Sequence, residues 1–244
     1  MRPLLRWTMG DVSEAGHEIL RESVRCFAAI YPEFDRIICH NHLDELYLLG
    51  IDAELRNQTL ADAPCVLAEP IDNYEESTGC GWKLCPPRLR PDSHELWLDN
   101  DLVICKRIEE IDRWLAGNKA IITEGLGRRR MFGLYDEHIS PELRLCAGLF
   151  GLPPHFDFAA AIRSRIDVME GKPLGGYDEQ GLTASVVTSM DYIIVPLSQV
   201  HIAEDHVPFS SHLYAGFHFA GANRKPWHRG WQSYKKTQAG LRLF

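Results

Sequence analysis

The sequence predicts one α/β domain built on a mainly parallel mixed sheet, with helices on both faces. Three observations lead there. Short apolar runs of β character alternate along the chain with longer stretches of helical periodicity, the order that lays crossover helices over a parallel sheet. The chain has 244 residues, enough for one sizeable core. It is 45% apolar and 25% charged, the balance of a soluble globular protein, and it shows no repeat, low-complexity tract or linker that would divide it.

Taken in order, LLRWTM reads as the first strand, and a helix follows from Ser13 to about Tyr31. Asp11 and Glu14 stand three apart, as in a capping box. Ala15, Ile19, Val24, Phe27 and Ala28 supply an approximate apolar stripe, and Pro32 marks the end of the helix. DRIICHN is the next strand. A second α-like stretch, DELYLLGIDAEL, leads to the run APCVLAE. HELWLDNDLVIC is strand-like, RIEEIDRWLAG helical, and AIITEG a strand again. The last third holds RLCAGLFGLP, the helix-like DFAAAIRSRIDVM and DEQGLTASVVTSM, then YIIVPL and LYAGFHFAG.

Composition narrows the function. A net charge of −8 argues against a general nucleic-acid binder. No run approaches the roughly 20 apolar residues of a membrane helix, and the first residues lack the apolar core of a secretory signal. The seven cysteines are odd in number and sit mostly in apolar runs, as reduced core thiols do. These features point to the cytoplasm. Charge is also unevenly spread. From His206 to Phe244 there are six Lys/Arg and no Asp or Glu, so the remainder is more acidic than the whole. A basic segment of this kind either faces an anion or is a solvated tail.

Asp99-Asn100-Asp101 interrupts an apolar run between LWL and LVIC. In extended chain, residues i and i+2 point the same way, so both carboxylates can converge on one point. Two carboxylates near a core disfavour each other's charge, and a hard divalent cation, Mg²⁺ or Mn²⁺, resolves the conflict. The structural alternative is a turn at a strand end, where Asp and Asn are common. A second constellation lies in His218-Phe219-Ala220-Gly221-Ala222-Asn223-Arg224-Lys225-Pro226-Trp227. An imidazole at a strand end can ligate the same cation, Gly221 permits close backbone approach, and Arg224 and Lys225 can neutralise a phosphate.

Together the two segments resemble the GT-A-fold glycosyltransferases. Asp99-Asn100-Asp101 is similar to their D-x-D motif, and HFAGANRKPW to the H-x-x-G-x-x-K-P-W signature of the glycogenin and galactosyltransferase-like family. The resemblance implies one GT-A, Rossmann-like catalytic domain over 1–244. Residues 1–105 would be its nucleotide-binding half, and 106–244 the acceptor half with the C-terminal metal and phosphate segment. It implies a nucleoside diphosphate sugar as donor, UDP-sugar by default, and a glycan, lipid-linked or small-molecule acceptor. The enzyme would be soluble or peripherally associated with a membrane.

Carried over by position, Asp99, Asp101 and His218 resemble the metal ligands, Asp99 also lying near the donor ribose with Asn100 beside it. Gly221 and Lys225 would contact the diphosphate. Three residues rather than two separate them here, so either the loop bulges or Arg224 takes the phosphate. Thr8, Met9 and Gly10 lie where such folds hold the nucleoside base. Lys83 and Arg88 could reach the donor, or lie at the surface. Cys146-Ala147-Gly148 resembles the segment lining the sugar pocket, with the family's Asn replaced by Cys146. Asp178-Glu179-Gln180 resembles the acidic-Gln motif facing donor and acceptor, and equally fits an acidic first helical turn. The resemblance implies a retaining transfer; an inverting one would need a carboxylate base, with Asp178 the first candidate. His201 and His206, beside Glu204 and Asp205, read as loop residues, with contact to an acceptor the alternative.

The rival enzyme class is a sugar-nucleotide-processing nucleotidyltransferase. No Gly-rich phosphate loop follows the first strand, and no H-E-x-x-H suggests a zinc hydrolase. Outside enzymes, a non-catalytic nucleotide-sugar or carbohydrate binder would keep the same pocket.

Overall fold

The computed structural model describes residues 1–10, 13–40, 50–59, 80–127, 130–166, 175–203 and 213–220, together with Trp227 and Trp231. The first strand, β1 (Leu4–Met9), is the apolar run LLRWTM. It leads into α1 (Glu14–Ile30), whose Ser13 caps the helix by accepting a bond from the Gly16 amide at 3.4 Å. The cap is therefore Ser13, whose position next to the first helical residue lets its hydroxyl reach the Gly16 amide; Asp11 lies outside the described residues. β2 (Asp35–His40) and β3 (Glu54–Asn57) follow. The helical expectation over DELYLLGIDAEL fails at its end, because Glu54 and Leu55 belong to β3 and pair with β2. Residues 44–49 and APCVLAE lie outside the described residues.

A 3-10 turn (Cys80–Leu84) precedes β4 (Glu95–Leu98) and β5 (Leu102–Ile104). Then come α2 (Glu109–Leu115), β6 (Ala120–Glu124), a 3-10 turn (Gly133–His138) and β7 (Leu145–Leu152). The chain continues through α3 (Phe158–Arg163), α4 (Gly176–Val187), β8 (Tyr192–Val195), β9 (Val200–Ile202) and β10 (Gly216–His218). α3 is shorter than the stretch DFAAAIRSRIDVM, whose last residues lie outside the described set.

Seven strands form one sheet in the order β3-β2-β1-β4-β7-β6-β8, and three form a second in the order β5-β10-β9. In the large sheet every neighbouring pair is parallel except those involving β7, which runs against both β4 and β6. The expected mixed, mainly parallel sheet is thus present. HELWLDNDLVIC is not one strand. It divides at the acidic tripeptide into β4, in the large sheet, and β5, in the small one. Asp99 to Leu102 form a turn closed by the Leu102 amide on the Asp99 carbonyl at 3.1 Å. The carboxylates converge through this turn and not through strand alternation.

Both faces of the large sheet are covered. On one side Leu20, Val24 and Phe27 of α1 and Ile111 and Trp114 of α2 pack on Trp7, Leu96 and Ile121. On the other, Phe158 and Ile162 of α3 and Leu182 and Val186 of α4 pack on Trp97, Ile122 and Phe150. α1 also grips the small sheet. Trp7 Nε1 donates to Ser23 Oγ at 2.9 Å, and that hydroxyl donates to the Leu102 carbonyl at 2.6 Å, all in the dry interior. The first residue of β5 is thereby tied to both β1 and α1.

Arg6 is the exception to the apolar pattern of β1. Its side chain is wholly buried, 3.5 Å from Glu95 and stacked 4.5 Å over the Trp97 ring. It donates to the carbonyls of Lys83 and Pro86, both at 2.7 Å. Glu95 also receives Arg88 at 3.2 Å. Removing one member of a buried ion pair leaves a charge without its partner, which costs about 3–5 kcal/mol. Arg6→Met should destabilise the protein by about 3 kcal/mol, the low end because Arg88 still faces Glu95. Arg6→Met with Glu95→Gln should recover part of that loss in chemical denaturation; equal losses in both variants would refute it.

Candidate functional site

The site lies at the carboxyl ends of β1 and β4, where β7 begins. Because β7 runs in the opposite sense, its first residues meet the last of β4: Leu98 pairs with Leu149, and the Asp99 amide donates to the Gly148 carbonyl at 2.8 Å. This bond fixes the start of the turn. β10 then pairs with β5 so that His218 stands opposite Leu102, and the Phe219 amide closes on the Asp101 carbonyl at 2.9 Å. Two residues distant in sequence are thus set by backbone bonds before any side chain acts.

Asp99, Asp101 and His218 form a cluster in which one ligand atom from each lies within 4.8 Å of the others. His218 Nε2 is 3.2 Å from Asp101 Oδ1 and 3.5 Å from Asp99 Oδ2. The Nδ1 side of the ring meets the Cys146 sulfur at 3.6 Å. Gly148 lies against the ring face: a Cβ built there would stand 2.5 Å from His218 Cε1, so no larger residue fits without moving the imidazole. Burial disfavours the charged ring, but Cys146 and Asp101 outweigh it and hold the His218 pKa well above its ordinary value. Two oxygen donors and one imidazole, aimed at one point with the far ring nitrogen engaged, suit a divalent cation.

Lys83 crosses to the same place from the 3-10 turn. Its ammonium lies 2.6 Å from Asp99 Oδ1 and 3.6 Å from Glu179 Oε1, and it donates to the Ala147 carbonyl. Burial lowers its pKa, yet the two carboxylates more than compensate, and the group stays charged. Glu179 is pushed up to about 7 by burial, which Lys83 only partly offsets. Next to it, Gln180 accepts from the Ala147 amide at 3.4 Å and donates to the Met131 carbonyl at 2.7 Å. The first turn of α4 therefore meets Lys83 and the start of β7 at the same place.

The remaining sequence candidates divide. Thr8, Met9 and Gly10 do sit at the carboxyl end of β1. Asn100 Nδ2 contacts Met9 Sδ at 3.0 Å, which places the middle of the acidic turn on this segment. Thr8 Oγ1 is buried without a hydrogen-bond partner. Arg88 goes elsewhere. Beyond Glu95 it donates to the carbonyls of Pro153, Phe156, Arg90 and Ser93, at the amino end of β4 and away from Asp99. Asp178 is held by backbone: its oxygens accept from the amides of Leu134 at 2.8 Å and Gly175 at 3.2 Å. His201 stacks on Tyr214 at 4.5 Å. Gly221, Arg224, Lys225 and His206 lie outside the described residues. Beyond them, Trp227 stacks on Trp231 at 5.3 Å, packs edge-on to Phe219, and donates to Glu18 of α1 at 3.0 Å.

Arg6 is not among the residues singled out in the sequence, and Glu179 stands there only within Asp178-Glu179-Gln180, with Asp178 the first candidate base. Arg6 could have been found as a lone charge inside an apolar strand. Glu179 has only its place beside the capping Asp178, and the turn of the helix decides which of the two carboxylates reaches Lys83.

Solved structures of three glycosyltransferases share this arrangement of strands and helices. The galactosyltransferase LgtC, in complex with donor and acceptor sugar analogues, superposes with a TM-score of 0.61 at 13% identity, over 96% of this chain and 94% of that one. Mouse xyloside xylosyltransferase 1 gives 0.54 at 12% identity, over 91% of this chain and 98% of that one. The glycosyltransferase GlyE of Streptococcus pneumoniae gives 0.54 at 10% identity, over 92% of this chain and 56% of that one. The chain has the GT-A fold of these glycosyltransferases. No family model matches the chain, and no curated protein sequence does.

Two outcomes test the site. Gly148→Ala should fold yet displace the His218 ring, weakening Mn²⁺ binding by more than about 10-fold, the cost typical of disturbing an outer partner; unchanged Mn²⁺ affinity would sink the packing argument. For Glu179 the folded pKa lies above the ordinary value of 4.5, so its contribution to stability is present below that pH and is lost as pH rises to about 7. Unfolding free energy measured across that window should decline in the parent and stay flatter in Glu179→Gln.

Proposed function

We propose that this protein is a metal-dependent glycosyltransferase that moves a sugar from a nucleoside diphosphate sugar, UDP-sugar by default, to an acceptor hydroxyl. The observation that carries this reading is the convergence of Asp99, Asp101 and His218 on one point within the fold shared with LgtC. The His-Gly-Lys-Pro-Trp string after β10 supports placement in the glycogenin and galactosyltransferase-like family. Residues 1–244 would act as a single catalytic domain working in the cytoplasm or at a membrane surface. Among the described residues no helix is long and apolar enough to cross a membrane. The acceptor would be a glycan, a lipid-linked glycan or a small molecule.

In the reaction, the bond between the anomeric carbon and a phosphate oxygen breaks, the acceptor oxygen bonds to that carbon, and negative charge grows on the leaving diphosphate. Asp99, Asp101 and the neutral form of His218 would hold Mn²⁺ or Mg²⁺, which supplies charge stabilisation to the diphosphate. Gly221 with Arg224 or Lys225 would bind the diphosphate from the opposite side. Thr8, Met9, Gly10 and Asn100 would line the nucleoside; the unsatisfied Thr8 hydroxyl is a group a ligand could complete. Lys83 orients the Asp99 carboxylate and, with Glu179 and Gln180, walls the sugar end of the pocket. A retaining course is favoured, because the Asp178 carboxylate is committed to two backbone amides and is thereby poorly suited to serve as the base of an inverting one. The acceptor proton then passes to a donor phosphate oxygen.

Calorimetric titration of UDP with Mn²⁺ present, then with EDTA, tests the reading. UDP should bind only with metal, and Asp101→Ala and His218→Ala should each weaken it more than about 10-fold. Equal binding in EDTA would remove the metal from the mechanism. Metal-dependent binding with no turnover of any UDP-, GDP-, CMP- or dTDP-sugar would favour a non-catalytic binder.

A further inference from the structure

A second concavity lies at the opposite end of α4 from Glu179, roughly 14 Å along the helix axis at 1.5 Å per residue. It has a volume of about 290 Å³ and is lined by residues of the Gly133–His138 turn, of the segment just after α3, and of the last turn of α4 and the segment that follows it. That is at the lower edge of the range for small-ligand pockets, about 300–1,000 Å³. Its hydrogen-bonding character can be counted. Ser185 Oγ donates to the Leu182 carbonyl at 2.8 Å, Thr188 Oγ1 to Ala184 at 2.9 Å, and Ser189 Oγ to Val186 at 2.7 Å. Ser164 Oγ likewise donates to Ala161 at 2.8 Å. A hydroxyl carries one hydrogen. With that hydrogen committed to the helix backbone, each presents lone pairs to the pocket.

Arg165 supplies the complementary donors. Its Nη1 bonds the Ala161 carbonyl and Ser164 Oγ at 3.1 and 3.0 Å, while Nε and Nη2 have no partner among the described residues. Tyr135, wholly buried, backs the pocket from the core, and the exposed His138 ring, 6.2 Å from it, is the aromatic surface the pocket offers. We propose that this pocket binds a neutral saccharide unit. A sugar ring brings several O–H donors for the accepting hydroxyls, ring and hydroxyl oxygens for the guanidinium, and C–H faces for that aromatic surface. A phosphate or carboxylate brings chiefly acceptors. It would meet the lone pairs of the serine and threonine oxygens and the negative end of the α4 dipole. A cation would meet Arg165. The pocket is separate from the Asp99–Asp101–His218 cluster, and the proposal does not rest on the role of that cluster.

The test screens the full-length protein, without metal or nucleotide, on an array of neutral glycans, and titrates the one best retained by calorimetry. Inorganic phosphate is titrated in parallel. Arg165→Ala and Thr188→Val should each weaken glycan binding about tenfold or more, and Asp101→Ala should leave it unchanged. Thr188→Val keeps the shape of the side chain, so it stays informative if Arg165→Ala is poorly folded. Retention of no glycan would overturn the proposal. So would binding lost in Asp101→Ala but kept in the pocket variants, or binding of phosphate in place of glycan.

Discussion

The turn from Asp99 to Leu102 is the constraint on which the rest of the site depends. It takes the chain out of the large sheet and into the small one within three residues, and it does so at the point where β7 begins. A continuous strand would have placed Asp99 and Asp101 on one face of a single sheet, remote from any imidazole. The turn instead brings them to the seam between two sheets, where His218 arrives on β10. The buried relay from Trp7 through Ser23 to the Leu102 carbonyl holds the exit of that turn. The Asp99 amide on Gly148 holds its entrance. Hydrogen bonds of this kind are individually modest, but a buried donor or acceptor left without its partner costs about 1–3 kcal/mol, so the turn has little freedom to relax.

Electrostatics follow from that placement. Three acidic side chains, Asp99, Asp101 and Glu179, are gathered with Lys83 and His218 between them. Lys83 shares itself between Asp99 and Glu179, and His218 between Asp99 and Asp101, so each cation neutralises part of two carboxylates. A site of this kind stores negative charge without expelling it. The Arg6–Glu95–Arg88 group at the other end of the strands supports the site by another route, since Arg6 donates to the carbonyl of Lys83 and so holds the base of its side chain.

Much of this was legible in the sequence, for identifiable reasons. β1, β2 and β6 are short apolar runs, and α1 is bounded by Ser13 and Pro32, so local pattern sufficed. The residue types at 99, 101 and 218 stood out because carboxylates and imidazoles at the ends of apolar runs are costly unless they have work to do. The break between Leu98 and Leu102 was not legible, because whether one apolar run forms one strand or two is decided by pairing with β7 and β10, far along the chain. Arg88 looked like a pocket residue because it precedes the acidic turn, but its five hydrogen-bonding partners lie at the amino end of β4, the opposite end of that strand from Asp99. The choice between Asp178 and Glu179 turns on a 100° step of helix, which proximity in sequence hides.

The reversed strand β7 has a consequence for how the protein comes into being on the ribosome. Its opening residues, Cys146 to Gly148, form the cradle against which the His218 ring rests, and β4 must dock on β7 before that cradle exists. The acidic turn and its lysine can assemble once β7 has been synthesised, but the imidazole arrives only with β10, the last of the described strands. Until then Asp99 and Asp101 lack the imidazole that stands beside both in the finished fold. Asp99, Asp101 and His218 therefore come together only when the small sheet closes, with the pairing of β10 on β5.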